Sequence, residues 1–124
     1  MRPLLFSLCT ALAFGSTANA ATTSYTCKFS LGASPTGLSK QSPPVELRYV
    51  ADSTTGKTYL LGNAGSSEVQ AIANKDGVSF VEITASGNVM VTAITKSGEA
   101  VHSRNGIMFN ELVPSQYYGK CVRQ

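Results

Sequence analysis

Between Gly77 and Cys121 the sequence repeats one short unit, a run of β-forming residues followed by a tight turn. The turns are marked by the pairs Ser86-Gly87, Ser97-Gly98 and Asn105-Gly106. Short β-type runs separated by Gly, Asn and Ser are typical of antiparallel strands joined by hairpins, and Asn-Gly is the strongest two-residue hairpin signal. This stretch therefore predicts a β-meander that ends at a cysteine.

The same alternation begins much earlier in the chain. Tyr25, Cys27, Phe29 and Leu31 share one face of a predicted half-buried strand. Further predicted strands cover residues 45–49, 58–61, 68–73, 78–84, 89–95, 100–104, 107–113 and 116–122. No segment beyond the first twenty residues shows a helical period. We therefore expect an all-β domain, an antiparallel up-and-down meander of eight or nine strands.

The N-terminal segment has the features of a secretory signal peptide. Arg2 supplies the positive charge, an apolar core runs from Leu4 to Phe14, and Ala18-Asn19-Ala20 is a small-x-small cleavage site. This pattern predicts a signal peptide over residues 1–20 and a single mature β domain over residues 21–124. We expect the protein to be periplasmic or secreted. The apolar run is shorter than the ~20 residues that a transmembrane helix needs, and no later run is longer.

Two cysteines remain after cleavage, Cys27 and Cys121, and an oxidising compartment favours a disulfide between them. Such a bond closes a loop of roughly 90 residues, which the loop-entropy model values at up to about 4.5 kcal/mol. Two isolated cysteines and the single histidine, His102, lack the closely spaced ligand pairs of a zinc site. The sequence therefore predicts a structural disulfide and no metal site.

The position of the two cysteines also bears on the architecture. Cys27 lies in the first predicted strand and Cys121 in the last, and a disulfide requires their Cα atoms to lie within ~7 Å. A closed meander places its first and last strands side by side and leaves no exposed edge. We therefore expect a small closed barrel, with a β-sandwich as the alternative for this number of strands.

Charge and motifs exclude several classes of function. The formal net charge is only +3, and the basic residues are scattered singly rather than clustered. This distribution does not predict nucleic-acid binding, which needs a basic patch or stripe. The sequence shows no recognisable cofactor motif. It also offers His102 as the only histidine, and its neighbour Ser103 should point to the opposite face of a strand, so the two do not predict a catalytic dyad.

His102 is instead predicted to be a structural residue on a polar strand face, beside Ala100 and Arg104. The carboxylates fall singly along the chain and give no pair of the kind that glycosidases use. We therefore expect a protein that is not an enzyme.

The segment from Gly32 to Pro44 predicts the longest loop of the chain, because it is rich in Gly, Pro and small polar residues. Loops of this length in compact domains are more often functional than idle. Leu38 and Lys40 are its candidate binding residues. A second candidate is the turn at Ser86 and Gly87, with Lys96 expected close by.

Five tyrosines could supply an aromatic binding surface or fill the core. Tyr117 and Tyr118 are adjacent in the last predicted strand, so their side chains should face opposite ways. Tyr118 is the candidate for the outward side chain.

Two resemblances add to this interpretation. The segments Ala100-Val101-His102-Ser103-Arg104 and Glu111-Leu112-Val113-Pro114-Ser115-Gln116-Tyr117-Tyr118-Gly119-Lys120-Cys121 resemble the C-terminal half of small exported bacterial β-barrel proteins of unassigned function. This likeness implies no activity. Ser86-Gly87 and Thr95-Lys96 are more weakly similar to the Ser-Gly loop and the later lysine of the periplasmic C-type lysozyme inhibitors, small barrels with a disulfide.

The sequence as a whole favours a non-catalytic module that binds a protein or an envelope component through its loops. Two alternatives remain open. One is an inhibitor of a secreted hydrolase such as lysozyme, and the other is a carrier of a small apolar ligand, because an eight-stranded barrel is just wide enough to hold one.

Overall fold

A computed structural model describes residues 22–62 and 65–124, and the predicted signal peptide and its cleavage site lie outside this range. Within it the chain forms eight strands. They are β1 (Thr22–Ser34), β2 (Gly37–Asp52), β3 (Lys57–Gly62), β4 (Gly65–Asn74), β5 (Gly77–Ile83), β6 (Val89–Thr95), β7 (Glu99–Met108) and β8 (Glu111–Arg123). The predicted all-β class is confirmed.

The strands follow one another around a closed barrel, each pairing antiparallel with the next, and β1 pairs with β8 to complete the circle. Cys27 and Cys121 are direct partners across this seam and form a disulfide. Both the closed barrel and the predicted disulfide are therefore confirmed. A disulfide is consistent with an oxidising, exported compartment.

Close packing at the β1–β8 seam depends on a glycine. Gly119 lies opposite Phe29, and a Cβ atom at position 119 would overlap the backbone carbonyl of Lys28. Because only glycine leaves this space empty, the two strands can approach here and the fully buried ring of Phe29 can fill the barrel interior beside them.

Alternate side chains of each strand point into the barrel. The buried apolar core consists of Cys27, Phe29, Tyr49, Leu60, Val69, Phe80, Ile94 and Cys121. At its centre the rings of Tyr49 and Phe80 stack with centroids 4.3 Å apart. On the predicted strand 78–84, Phe80 is buried while Ile83 is exposed, so this strand is a barrel strand with an apolar outer residue.

The first strand departs from the predicted alternation at one point. Its pairing register shifts between Phe29 and Leu31, so Ser30 is an extra residue and Leu31 turns outward instead of sharing the face of Phe29. A bulge of this kind bends a strand and re-aims the side chains that follow it.

The prediction of a long loop from Gly32 to Pro44 is wrong, because most of this segment is paired. Strand pairing continues through Ala33↔Leu38 and Ser34↔Gly37, so this segment forms the upper part of a long β1–β2 hairpin. Apart from the turn at Pro35-Thr36, only residues 41–44 leave the ladder, opposite Ser30. They include Pro43 and Pro44, which have no N–H to donate and are therefore found at bulges. Pairing satisfies the other backbone groups, and this outweighs the loop-like composition.

The predicted turn at Asn105-Gly106 is also wrong. Asn105 and Gly106 lie inside β7 and pair with Pro114 and Val113, and the turn falls at Phe109-Asn110. This later turn divides the predicted strand 107–113, so the three predicted strands 100–104, 107–113 and 116–122 become two, β7 and β8, and the strand number is eight. One ladder then pairs β7 with β8 from Glu99↔Lys120 to Met108↔Glu111, so the longer hairpin satisfies more backbone groups than the earlier turn would.

The topology defines two ends of the barrel. We call the end that carries the β1–β2, β5–β6 and β7–β8 connections the upper end. The lower end carries the β2–β3, β4–β5 and β6–β7 connections together with Thr22 and Gln124.

Candidate functional site at the upper end of the barrel

The β7–β8 hairpin ends in a group of exposed apolar side chains at the upper end. We call this group the apolar tip; it consists of Ile107, Met108, Phe109, Leu112 and Val113. Phe109 is 94% exposed and Leu112 is 79% exposed. Isolated apolar residues are common on protein surfaces, but a contiguous group of large ones marks an interaction site.

The apolar tip covers both faces of the hairpin. Ile107 and Leu112 are direct partners and share one face, while Val113 and Met108 lie at positions of the opposite face. The only charged residue between Ile107 and Val113 is Glu111, the partner of Met108. A ligand that removes all of this apolar surface from water has to enclose the hairpin rather than lie against one side of it.

Phe109 also has an uncommon backbone conformation. Its φ is 51° and that of Asn110 is 63°, as a type I′ turn requires at its two central positions. Asn tolerates this left-handed region, whereas a bulky side chain there costs roughly 1–2 kcal/mol. Residues held in such conformations cluster at functional sites.

The β5–β6 turn is attached to this hairpin. The Asn88 side-chain Oδ1 accepts a hydrogen bond from the backbone N–H of Ile107 at 3.1 Å, and the backbone N–H of Asn88 donates to Thr84 Oγ1 at 3.1 Å. Gly87, with φ 85°, completes the turn. The predicted binding turn at Ser86 and Gly87 therefore lies exposed at the upper end, linked to β7 through Asn88.

The β1–β2 hairpin also rises at the upper end and carries Leu38 and Lys40, which are both exposed. A cleft of about 440 Å³ separates its turn at Pro35 from the upper parts of β7 and β8, including Asn105 and Pro114. The upper end thus presents two projecting hairpins with a cleft between them.

Two predicted site residues lie elsewhere. Lys96 follows β6 at the lower end, whereas Ser86 and Gly87 precede β6 at the upper end, so the expected proximity of Lys96 to this turn is wrong. The length of β6 separates them. Tyr118 lies on the outer wall and donates a hydrogen bond to Gln116 Oε1 at 2.7 Å. Its neighbour Tyr117 packs against the core, so the predicted divergence of these two side chains is confirmed.

His102 lies inside the barrel and is 1% exposed, so its predicted place on a polar face is wrong. It belongs to a hydrogen-bonded chain across the interior. Thr92 Oγ1 is 2.7 Å from His102 Nδ1 and 2.5 Å from the Tyr49 hydroxyl. The predicted divergence of His102 and Ser103 is confirmed, because Ser103 Oγ accepts a hydrogen bond from Gln116 on the outer wall.

Arg104 completes this chain at the mouth of the barrel. Its Nε donates a hydrogen bond to His102 Nε2 at 3.1 Å, and its guanidinium carbon lies 5.1 Å from the centre of the Tyr117 ring. Because an arginine N–H is always a donor, Nε2 is the acceptor and the proton of the neutral imidazole resides on Nδ1, which donates to Thr92.

Burial determines the protonation of the two titratable members inside the barrel. Burial, reinforced by the Arg104 cation, lowers the pKa of His102 from 6.5 to about 4. Burial raises the pKa of Tyr49 from 10.0 to about 12, although its hydrogen bond with Thr92 opposes the change. Both groups are therefore neutral near pH 7.

The geometry limits the chemistry that His102 can perform. A general base must reach the proton that it removes, but both ring nitrogens of His102 are already bonded inside the protein. Across residues 22–62 and 65–124, no group of three His, Cys, Asp or Glu side chains is arranged to hold a metal ion. The same residues contain no helix long and apolar enough to span a membrane.

Comparisons with protein families, with curated proteins and with solved structures found no match to this chain. The site is therefore interpreted from its own geometry.

Sequence reasoning missed two parts of this site. The apolar tip was missed because Asn105-Gly106 was assigned the turn, which placed Phe109 inside a strand. The interior chain from Tyr49 to Arg104 was missed because its members are far apart in sequence. One signal was present: Thr92, His102 and Arg104 occupy alternate positions of two neighbouring predicted strands, on the faces that point inward.

Proposed function

We propose that this protein is an exported, non-catalytic module that binds a partner protein through the upper end of its barrel. The apolar tip is the main contact surface. The exposed residues Leu38 and Lys40 on one side, and Ser86 and Gly87 on the other, flank the same end of the barrel.

Phe109 is the observation that carries this proposal. A fully exposed aromatic ring contributes little to folding, and its left-handed backbone would be more stable with Asn or Gly. Phe109 thus adds little stability to the free protein and imposes a backbone cost on it. Burial of this ring in a complex would offset that cost, because aromatic side chains are among the residues that dominate binding energy at interfaces.

The charge and shape of the tip favour a protein groove over a lipid surface. Glu111 lies at the end of the hairpin, opposite Met108, and the anionic surface of a membrane would repel its carboxylate. A groove in a partner protein can enclose both apolar faces of the hairpin and leave this carboxylate at its rim.

The enclosed position of His102 supports a role without catalysis. The only histidine of the chain is inaccessible to a substrate and has both nitrogens satisfied. Binding through projecting hairpins on a rigid barrel requires no such group, and recognition residues are commonly placed in this way.

Export is supported by two independent features. Residues 1–20 have the pattern of a cleaved signal peptide, with Ala21 as the first mature residue. The Cys27–Cys121 disulfide is consistent with an oxidising compartment, as the periplasm and the extracellular space are.

Site-specific photo-crosslinking in the native host tests the proposal. A benzophenone amino acid is placed at position 109 and, as a matched control, at position 122, because Val122 is an apolar residue that is 62% exposed near the lower end. We expect a discrete protein adduct from position 109 that is absent from position 122. The same adducts from both positions, or lipid adducts alone from position 109, would contradict the proposal.

A further inference from the structure

We infer that Arg104 is a carboxylate-binding residue at the upper mouth of the barrel, held in position by His102 and Tyr117. The ligand is an acidic side chain of the partner protein. This inference rests on the proposed function and adds a polar anchor to the apolar tip.

The side chain of Arg104 is fixed at two points. Its Nε donates to His102 Nε2 at 3.1 Å, and its guanidinium group lies over the Tyr117 ring at 5.1 Å. His102 is itself fixed by its hydrogen bond to Thr92 at 2.7 Å. An arginine that is ordered before binding loses less conformational entropy when a ligand arrives, so this arrangement raises affinity without any additional contact.

The binding end of the guanidinium group is still available. Among the described residues, its two terminal nitrogens make no hydrogen bond and no carboxylate lies within 4.0 Å of them. Arg104 is half-buried, yet no buried side-chain nitrogen or oxygen in that part of the chain lacks a partner, so these nitrogens face solvent. A half-buried, ordered arginine with both terminal nitrogens free is suited to bidentate binding of an anion.

The surroundings favour a carboxylate over a phosphate. Glu82 occupies an inward position of β5 and pairs with Met90, which pairs in turn with Arg104. The negative charge of Glu82 repels any anion that binds at the mouth, and it repels a doubly charged phosphate more strongly than a singly charged carboxylate. The other groups near the guanidinium, His102 and Tyr117, add no positive charge that would compensate a phosphate. One guanidinium and one carboxylate neutralise each other.

Arg104 and the apolar tip are close enough to contact the same partner. Arg104 precedes Ile107 by three residues on one strand, which corresponds to about 10 Å at ~3.3 Å per residue. A groove that encloses the hairpin therefore extends to the barrel mouth, where its acidic residue meets Arg104.

A titration of the free, full-length mature protein with sodium acetate tests this inference by NMR at pH 7. The probes are the side-chain nitrogens of Arg104 and the ring nitrogens of His102. Sodium chloride at equal ionic strength is the control anion, and inorganic phosphate is the competing one. We expect a saturable shift at Arg104 with acetate, at least several-fold tighter than with either other anion.

Two variants assign the roles. Arg104→Lys keeps the charge but lacks the planar fork, and we expect about tenfold weaker acetate binding. His102→Gln leaves Arg104 itself unchanged. Acetate binding that is several-fold weaker in this variant than in the wild type identifies His102 as a positioning residue. The backbone spectrum of each variant reports whether it is folded. If one unfolds, the wild-type anion comparison still decides the assignment.

An absent or unsaturable acetate response, an equal response to chloride, or tighter binding of phosphate would overturn the inference. These outcomes are independent of the crosslinking result, because the titration needs no partner. A missing adduct at position 109 with selective acetate binding would refute the proposed function alone. An adduct without acetate binding would refute only the role of Arg104.

Discussion

The barrel interior around His102 and the hairpin end around Phe109 reverse the usual distribution of polar and apolar groups. Inside the barrel, Thr92 and His102 are polar and almost fully buried. At the upper end, Phe109 and Leu112 are apolar and almost fully exposed. The difference between the regions lies in whether each group already has a partner within the chain.

Across residues 22–62 and 65–124, every fully buried side-chain nitrogen or oxygen atom has a hydrogen-bond partner. His102 bonds to Thr92 and Arg104, and Thr92 bonds in turn to Tyr49. A network that is complete in itself stabilises and orders the core, and it offers nothing to an external ligand except the free end of Arg104. The apolar tip has no such complement in the described chain. We therefore interpret the interior as structural and the upper end as functional.

The largest predicted effect concerns barrel closure, on which the interior depends. Replacing both Cys27 and Cys121 with Ala removes a cross-link between residues 94 positions apart, and we expect a loss of up to about 4.5 kcal/mol in the free energy of unfolding. Denaturant unfolding monitored by circular dichroism measures this loss. The folded β spectrum should persist, and an unchanged midpoint would contradict the role of the disulfide.

The next effect is a pH dependence that originates in the interior. The folded-state pKa of His102 is about 4 and its unfolded value is 6.5, so the unfolded state binds the proton more readily. The neutral His102 therefore contributes fully to the free energy of unfolding above pH 6.5. This contribution declines as the pH falls, and about 3 kcal/mol is lost at pH 4. Unfolding free energies measured between pH 7 and pH 4 give this slope.

His102→Gln is the control, because it removes the titrating imidazole while every carboxylate of the chain remains. The variant should lose stability less steeply between pH 6.5 and pH 4 than the wild type does. Parallel curves would show that His102 is not a buried neutral base. A ring that titrates near 6.5 in an NMR measurement on the wild type would show the same.

The smallest effect has the opposite sign and comes from the upper end. Phe109→Asn places a residue that tolerates positive φ at a position whose φ is 51°. We expect a gain of about 1 kcal/mol in stability, seen as a higher melting temperature. A lower melting temperature would mean that the Phe109 ring packs within the free protein, which would weaken the contrast between the two regions.

Sequence patterns predicted the barrel because its determinants repeat along the chain. Inward residues alternate along the strands, apart from the bulge at Ser30, and the pair Cys27 and Cys121 joins the first strand to the last. The failures arose where pairing between strands decided the outcome. Gly32 to Pro44 has the composition of a loop, yet most of it forms the paired end of the β1–β2 hairpin and its turn. Asn105-Gly106 has the composition of a turn, yet it pairs with Val113 and Pro114. Composition is local, whereas hydrogen-bonded register is not.

The candidate site was predicted in part. Four of the predicted site residues lie at the upper end: Leu38, Lys40, Ser86 and Gly87. Lys96 lies at the lower end, because β6 crosses the barrel wall between Gly87 and Lys96. Phe109 could not be found from the pattern alone, since its exposure depends on the true position of the β7–β8 turn.

The affinity of the crosslinked partner for wild-type protein, Phe109→Asn and Val122→Asn tests the central claim most directly. We expect both variants to keep the barrel, because positions 109 and 122 are exposed and apolar in the wild-type protein. Isothermal titration with the purified partner should show at least tenfold weaker binding for Phe109→Asn, because a buried aromatic anchor contributes 2 kcal/mol or more, at the order of magnitude known for hot spots. Val122→Asn should bind as the wild type does. Equal affinity of Phe109→Asn and the wild type would contradict binding through the upper end.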